Sequence, residues 1–289
     1  MHLIRTIRNL ILRAFGIDPR ALFVRRLPKI ITLIRHGQSE GNVMVKMIRQ
    51  GKEADVPAEL FAQRPDRWRL TPKGVEQAEA AAKWLREHAP DFSGRCYVSP
   101  FTRAIETAGH IVPAGIPIYE SPHLRERDWG NHQSLSREEQ IAILKKMDDD
   151  PFYGRFPNGE SMADACLTRA DRTLDTLARE CQDVEVKLFC HGETMWAFYM
   201  RLTQMRPRRF EELHHSKNPH HHIHNCQILQ FTRVNPVTGE EGDKMGWMRS
   251  VCPWDLSLSS NDWQPIVRHR PTATELLAEA AAVPRFLSA

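Results

Sequence analysis

Apolar positions along the chain follow two alternating spacings. Lys29-Ile-Ile-Thr-Leu-Ile34, Cys96-Tyr-Val98, Ile116–Tyr119 and Val184–Cys190 are short apolar or β-branched runs of strand length, each followed by a turn signal. Between them, apolar residues recur at three- and four-residue intervals over Val75–His88, Phe101–Val112, Ser136–Met147, Glu160–Glu180 and Glu193–Leu202, which predicts helices. Thr71 suits the N-cap of the first of these and Pro72 its first helical position. Phe231–Val251 reads as a hairpin around Thr238-Gly239, and Thr274–Ala282 as a short helix. Strands alternating with helices call for a mostly parallel sheet covered on both faces, so the expected fold class is α/β, a three-layer α/β/α sandwich. The chain divides into an N-terminal extension, residues 1–28, a body, 29–251, and a C-terminal tail, 252–289.

The extension has its own pattern. Leu3, Ile4, Ile7, Leu10, Ile11, Ala14 and Phe15 lie at helical spacing with Arg5, Arg8 and Arg13 interleaved, a basic amphipathic helix. Three readings stay open for residues 3–15: docking on the body, contact with an anionic membrane surface, or an organellar presequence. Residues 1–29 hold seven basic residues and one acid out of totals of 40 and 36, so the body carries 33 basic against 35 acidic residues. A nucleic-acid partner is therefore not expected, because binding a phosphate backbone needs a concentrated basic face. At 289 residues with 41% hydrophobic and 26% charged residues the composition is that of a folded globular protein. The six cysteines form no C-x-x-C and a chain of this size does not need disulfides, so a reducing compartment, the cytoplasm, is the expected location.

Chemistry enters where the strands stop. Two of them end in similar strings, Ile34-Arg35-His36-Gly37 and Phe189-Cys190-His191-Gly192, each placing an imidazole at the edge where α/β sheets bind ligands. A neutral imidazole can attack a phosphoryl group, and guanidiniums beside it would keep it neutral while holding the phosphate oxygens. Arg35 adjoins His36, and Arg103 lies one helical turn past Ser99-Pro100, where a helix N-terminus favours anions. Glu126, in the loop after the third strand, is the candidate proton donor, with Asp128 its local rival.

These residues carry a resemblance. Arg35-His36-Gly37 after a strand, Asn42 six residues past His36, Thr71-Pro-x-Gly74 and Ser99-Pro-x-x-Arg103-Ala-x-x-Thr107 are followed by Leu124-Arg-Glu126-x-x-x-Gly130, Pro157-x-Gly-Glu-Ser161 and His191-Gly192. The ordered set, spread over residues 35–192, resembles the histidine phosphatase superfamily, the phosphoglycerate-mutase-like phosphatases. That resemblance implies a phosphoglycerate-mutase-like fold and gives each motif a role. His36 matches the residue phosphorylated in turnover, Arg35 and Arg103 the phosphate clamp, His191 the second histidine on the phosphate, Glu126 the proton donor and Asn42 a phosphate contact.

The resemblance also separates activities. Mutases carry Asn before the catalytic Glu and a long insertion with paired arginines; here Arg125 takes the place of that Asn, and the segment from Trp129 to Pro157 is short and contains Asp148-Asp149-Asp150. The expected function is thus a phosphomonoester hydrolase using a phosphohistidine, with no metal or other cofactor and a small phosphorylated substrate. The alternatives are a cofactor-dependent phosphoglycerate mutase and a catalytically silent phosphate-binding relative. His214, His215, His220, His221, His222 and His224 crowd one short stretch, but their spacing matches no ligand motif and Pro219 interrupts it, so a packing or solvated loop is expected. Sequence leaves the oligomeric state open.

Overall fold

Ile30–Arg35, the first apolar run of the body, becomes the middle strand of a seven-stranded sheet in the computed structural model, which describes Ala14 and residues 26–89, 94–130 and 135–287. The strands are β1 (Ile30–Arg35), β2 (Arg95–Val98), β3 (Ile118–Glu120), β4 (Glu185–Cys190), β5 (Ile228–Thr232), β6 (Trp247–Val251) and β7 (Ser260–Pro265), in the order β3-β2-β4-β1-β5-β6-β7. β3, β2, β4 and β1 pair in parallel, whereas β5, β6 and β7 add antiparallel. The α/β class stands, but the sheet is mixed, with a parallel half and an antiparallel half. The reason lies in the connections. Parallel pairing needs a crossover, and β5, β6 and β7 follow one another through turns that contain no long helix.

The helices are α1 (Glu40–Arg49), α2 (Ala58–Ala62), α3 (Pro72–His88), α4 (Thr102–Ile111), α5 (Arg137–Asp149), α6 (Met162–Ala165), α7 (Asp171–Glu180), α8 (Gly192–Thr203), α9 (Pro207–His214) and α10 (Ala273–Ala281). Side-chain alternation along the strands sorts the core into two layers. Ile31, Leu33, Val186 and Leu188 pack with Met162, Leu177, Met195 and Phe198 from α6, α7 and α8. Ile34 and Phe189 face the other way, against Ala78, Ala81 and Leu85 of α3 and Ala104 and Ala108 of α4. Helices on both faces make the three-layer sandwich that the alternation of strands and helices predicts.

Most boundaries fall within a residue or two of the sequence reading. Thr71 caps α3, its side chain accepting from the Gly74 amide, with Pro72 at the first helical position. The long helix expected over Glu160–Glu180 opens at the Ser161 N-cap and passes through one π turn, Cys166–Ala170, between α6 and α7. Four elements depart from the reading. Residues 40–49 and Ala58–Ala62, for which the sequence reading gives no element, form α1 and α2; Pro207–His214 forms α9; and residues 260–265, in the predicted tail, form β7. β7 has no apolar alternation to announce it, because it is an edge strand and only Trp263 is half-buried. The amphipathic pattern of residues 3–15 lies outside the described residues apart from Ala14. Among the described residues no helix is long and apolar enough to cross a membrane.

Candidate active site

β1 and β4 are adjacent, parallel and in a register that pairs Arg35 with Cys190. Each strand is followed at once by its histidine, so His36 and His191 meet although 155 positions separate them. Their ring centroids are 5.0 Å apart at an interplanar angle of 61°, and the residues are 3% and 0% exposed. The backbone closes the pair, since the His36 amide donates to the Cys190 carbonyl at 3.0 Å.

A close backbone contact holds the His36 turn. A Cβ on Gly74 would sit 2.0 Å from the Gln38 carbonyl oxygen, and one on Gly37 would sit 2.3 Å from that of Gly74. Thr71 and Gln77 also take part: the Thr71 amide donates to the Gln38 carbonyl at 2.9 Å and the Gln38 amide to Gln77 Oε1 at 2.9 Å. The Thr71-Pro-x-Gly74 motif thus braces the turn that carries His36. Helix propensity would favour alanine at position 74 by about 1 kcal/mol, but overpacking against fixed backbone typically costs about 1–3 kcal/mol. Gly74→Ala should therefore lower the urea midpoint of unfolding, and an unchanged or raised midpoint would show that the two backbones can separate freely.

Around the rings stand two arginines. Arg103, from the first turn of α4, donates through Nε to His36 Nε2 at 3.1 Å and through Nη1 to the Pro65 carbonyl at 2.7 Å. Nδ1 of His36 lies 2.7 Å from the Gly37 carbonyl. A carbonyl can only accept, so Nδ1 bears the proton and the lone pair is on Nε2. Burial first, then the charges of Arg103 and Arg35, hold His36 well below the usual imidazole range, so the ring is neutral. His191 is lowered the same way, by burial and then by Arg103, His36 and Arg35. Arg103 itself is brought down by burial to about 10 and stays charged at neutral pH.

Two buried polar atoms in this group have no hydrogen-bond partner, Arg35 Nε and His191 Nδ1. Arg35 spends Nη1 on the Ile223 carbonyl at 2.5 Å, and His191 Nε2 lies 2.8 Å from Ser99 Oγ. In the tautomer that accepts from Ser99 at Nε2, His191 Nδ1 carries a proton without a partner, as the Nε–H of Arg35 does. Unsatisfied buried donors are costly unless something accepts from them, and an anionic oxygen meets that need.

Glu126 completes the set. Its Oε1 accepts from the Arg127 amide at 2.9 Å. Although the residue is not wholly shielded from solvent, desolvation is the main cause that raises its carboxyl above the usual range, and the Glu193 carboxylate adds to it, against the pull of Arg103 and Arg35. The loop bearing Glu126 is fixed by neighbours that spacing alone did not single out. Thr194 Oγ1 donates to the Arg125 carbonyl at 2.7 Å. Arg127 donates to Glu193 at 3.2 Å, to the Glu160 carbonyl at 2.7 Å and to the Gly154 carbonyl at 3.0 Å. The Glu160 carboxylate accepts from the Asp128 amide at 2.9 Å and pairs with Arg125 and with Arg169, which projects from the π turn.

The structure thus brings Arg35, His36, Arg103, Glu126 and His191 together. Asn42 sits differently. Its Oδ1 serves the capping box of α1 through the Ser39 amide at 3.1 Å and accepts from Asn225 Nδ2 at 3.1 Å, which leaves only its amide hydrogens for an anion. Asp128, the rival acid, is exposed and bonds the Gly130 amide at 2.9 Å. Ser99, Asn225, Glu160 and Glu193 are the neighbours that sequence reasoning left without a site role. Ser99 and Glu160 lie within the motifs and Glu193 follows His191-Gly192 directly, which is the available signal. In the histidine-rich stretch, His215, His221 and His224 bond to the Asp148 carbonyl, Ser216 Oγ and the Pro219 carbonyl. Its end packs on the site, since Asn225 Nδ2 also donates to the His36 carbonyl at 3.1 Å.

Known proteins resemble this chain in sequence and in fold. A family model described as the histidine phosphatase superfamily (branch 1) matches residues 31–232. The chain is 30% identical over 216 residues to phosphoglycerate mutase-like protein AT74 of Arabidopsis thaliana, covering 66% of this chain and 63% of that protein, less than two thirds of its length. It is 29% identical over 191 residues to the 2,3-bisphosphoglycerate-dependent phosphoglycerate mutase of Cytophaga hutchinsonii, covering 62% of this chain and 79% of that enzyme. Among solved structures, a mycobacterial glucosyl-3-phosphoglycerate phosphatase in complex with VO3 superposes with a TM-score of 0.52 at 21% identity over 71% of this chain and 91% of that one. Phosphoserine phosphatase of Entamoeba histolytica in complex with 3-phosphoglyceric acid gives a TM-score of 0.52 at 21% identity, covering 71% and 90%. These two structural likenesses show a common fold.

Proposed function

This chain belongs to the histidine phosphatase superfamily, and from that premise we propose that it hydrolyses small phosphomonoesters through a phosphohistidine on His36. The observation that carries the reading is the meeting of two imidazoles and two guanidiniums around two buried nitrogens that lack partners, Arg35 Nε and His191 Nδ1. A phosphoryl group accepts from Arg35 Nε and, in the tautomer where Ser99 donates to Nε2, from His191 Nδ1. It also takes over the Arg103 Nε hydrogen bond, which frees the His36 Nε2 lone pair for in-line attack.

As Nε2 forms a bond to phosphorus, the bond to the ester oxygen breaks and Glu126, in its acid form, gives that oxygen a proton. The Gly37 carbonyl, 2.7 Å from Nδ1, supports the positive charge that the ring acquires. Glu126, now a carboxylate, takes a proton from water, which displaces phosphate from Nε2 and restores the neutral ring. Arg35, Arg103 and His191 meet the charge on the transferred oxygens, so the proposed steps route nothing through a metal.

Hydrolysis fits better than isomerisation because Arg125, where mutases have Asn, is engaged with Glu160 at 3.3 Å and turned to its ion-pair network. Supplying 3-phosphoglycerate decides between the two: the reading expects free phosphate, and accumulation of 2-phosphoglycerate would establish the mutase instead. With six cysteines free and buried, a reducing cytoplasm is the proposed location.

The neutral rings have a consequence for pH. In an NMR titration of the free protein, both His36 and His191 should remain neutral at pH 6.5, where an ordinary imidazole is half protonated. An unfolded chain binds protons at that pH and these folded rings do not, so stability falls as pH drops below 6.5. The slope from each ring approaches about 1.4 kcal/mol per pH unit until its folded pKa is reached. A midpoint at or above 6.5 for either ring would contradict the charge arrangement on which the attack depends.

A further inference from the structure

At the other end of the sheet, where β1 begins, a cavity of about 620 Å³ opens between the far end of α8, helix α9, the β6–β7 edge and helix α10. Its volume falls in the range of small-molecule sites, roughly 300–1,000 Å³. Tyr199, Leu213 and Met248 supply apolar wall, and Arg206, Arg208 and His269 supply positive or protonatable groups. None of these belongs to the machinery around His36.

A carboxylate already occupies part of this cavity. Glu279 of α10 makes a two-pronged contact with Arg206, Oε1 accepting from Nη1 at 2.8 Å and Oε2 from Nη2 at 2.7 Å. Arg206 foremost, with Arg208 and His269 behind it, holds the Glu279 carboxyl below the usual carboxylate range. The helix that brings this carboxylate is lightly attached. No residue of α10 is buried, Leu277 is 71% exposed, and the segment before it is fastened by Arg268 to the Leu202 and Met245 carbonyls at 3.0 and 2.5 Å. The pair itself is open to water, its two side chains 29% and 30% exposed, so a free carboxylate can reach the fork and compete for it. Arg208 and Arg209 share Glu212, at 3.9 and 2.9 Å, so once Glu279 leaves, Glu212 is the one carboxylate left in the lining against three guanidiniums, with Glu275 acting on Arg206 from outside it.

We propose that this cavity binds a small organic carboxylate with an apolar body, its head replacing Glu279 on the Arg206 fork and its body lying on Tyr199, Leu213 and Met248. Glu279 is then an internal competitor, a tethered copy of the ligand head. The planar guanidinium fork suits a carboxylate, and the apolar wall suits a ring or short alkyl chain rather than a polyol.

Ligand-observed NMR with the full chain tests this, using octanoate, 4-phenylbutyrate and indole-3-acetate as probes beside their neutral amides. At least one acid should bind wild type, and its amide should not. Glu279→Ala, which empties the fork, should tighten binding of that acid by about fivefold, and Arg206→Ala should abolish it while keeping the wild-type melting temperature. Equal affinity in wild type and Glu279→Ala, equal binding of acid and amide, or no binding of any probe to Glu279→Ala would each overturn the proposal.

Discussion

An alanine at position 36 should leave a folded protein that no longer turns over phosphomonoesters. Loss of a covalent nucleophile lowers kcat by roughly 10⁴- to 10⁶-fold, because the other groups hold the phosphoryl group but give it no atom to move to. Fold is preserved because the ring sits at a strand end, where its backbone amide still reaches the Cys190 carbonyl. Incubation with a labelled monoester should mark wild type with an acid-labile, alkali-stable label and leave His36→Ala unmarked. Turnover persisting in the variant would remove the phosphohistidine from the mechanism.

Glu126→Gln should give the second largest effect, and its size should depend on the substrate. With an alkyl ester, whose oxygen leaves poorly without a proton, kcat should fall by about 10²- to 10⁴-fold. With 4-nitrophenyl phosphate the first step needs little help, so the variant should release a burst of nitrophenol and then stall with its histidine phosphorylated, for want of a base to activate water. The amide keeps the Oε1 acceptor that the Arg127 amide uses, so the loop geometry is retained. Equal losses on both substrates, with no burst, would assign the proton to a different group.

What could be read from the sequence was local. Strand ends, helix caps and glycine turns depend on neighbours a few positions away, and Thr71, Ser161 and the two His-Gly turns appear where spacing placed them. Strand order is not local. That β4 inserts beside β1 rather than beyond β2 is decided by crossover connections and helix packing, and only that order makes His36 and His191 neighbours. α1 carries a local signal that the reading of strands and turns passes over, Ser39 with Asn42 as the capping box that starts the helix. Glu160 lay in a stretch legible as a turn and helix start, and it is one: Asn158 has φ of 59° and Ser161 caps α6. Its second task, gathering Arg125, Arg169 and the Asp128 amide around the Glu126 loop, needs tertiary neighbours that no spacing reveals.

β7 has a bearing on how the sheet avoids pairing with another chain. An outermost strand is a template on which a stranger chain can add, and natural proteins guard it with charge, proline and irregular pairing. β7 has all three: Asp262, Pro265 without an N–H to offer, and a bulge in the pairing with β6 between Met248 and Ser250. Trp263 is held down by the Arg249 guanidinium 4.6 Å from its ring. A chain ended at Val251 would present Trp247–Val251 as an unguarded rim and should precipitate by strand-to-strand accretion, where the full chain does not.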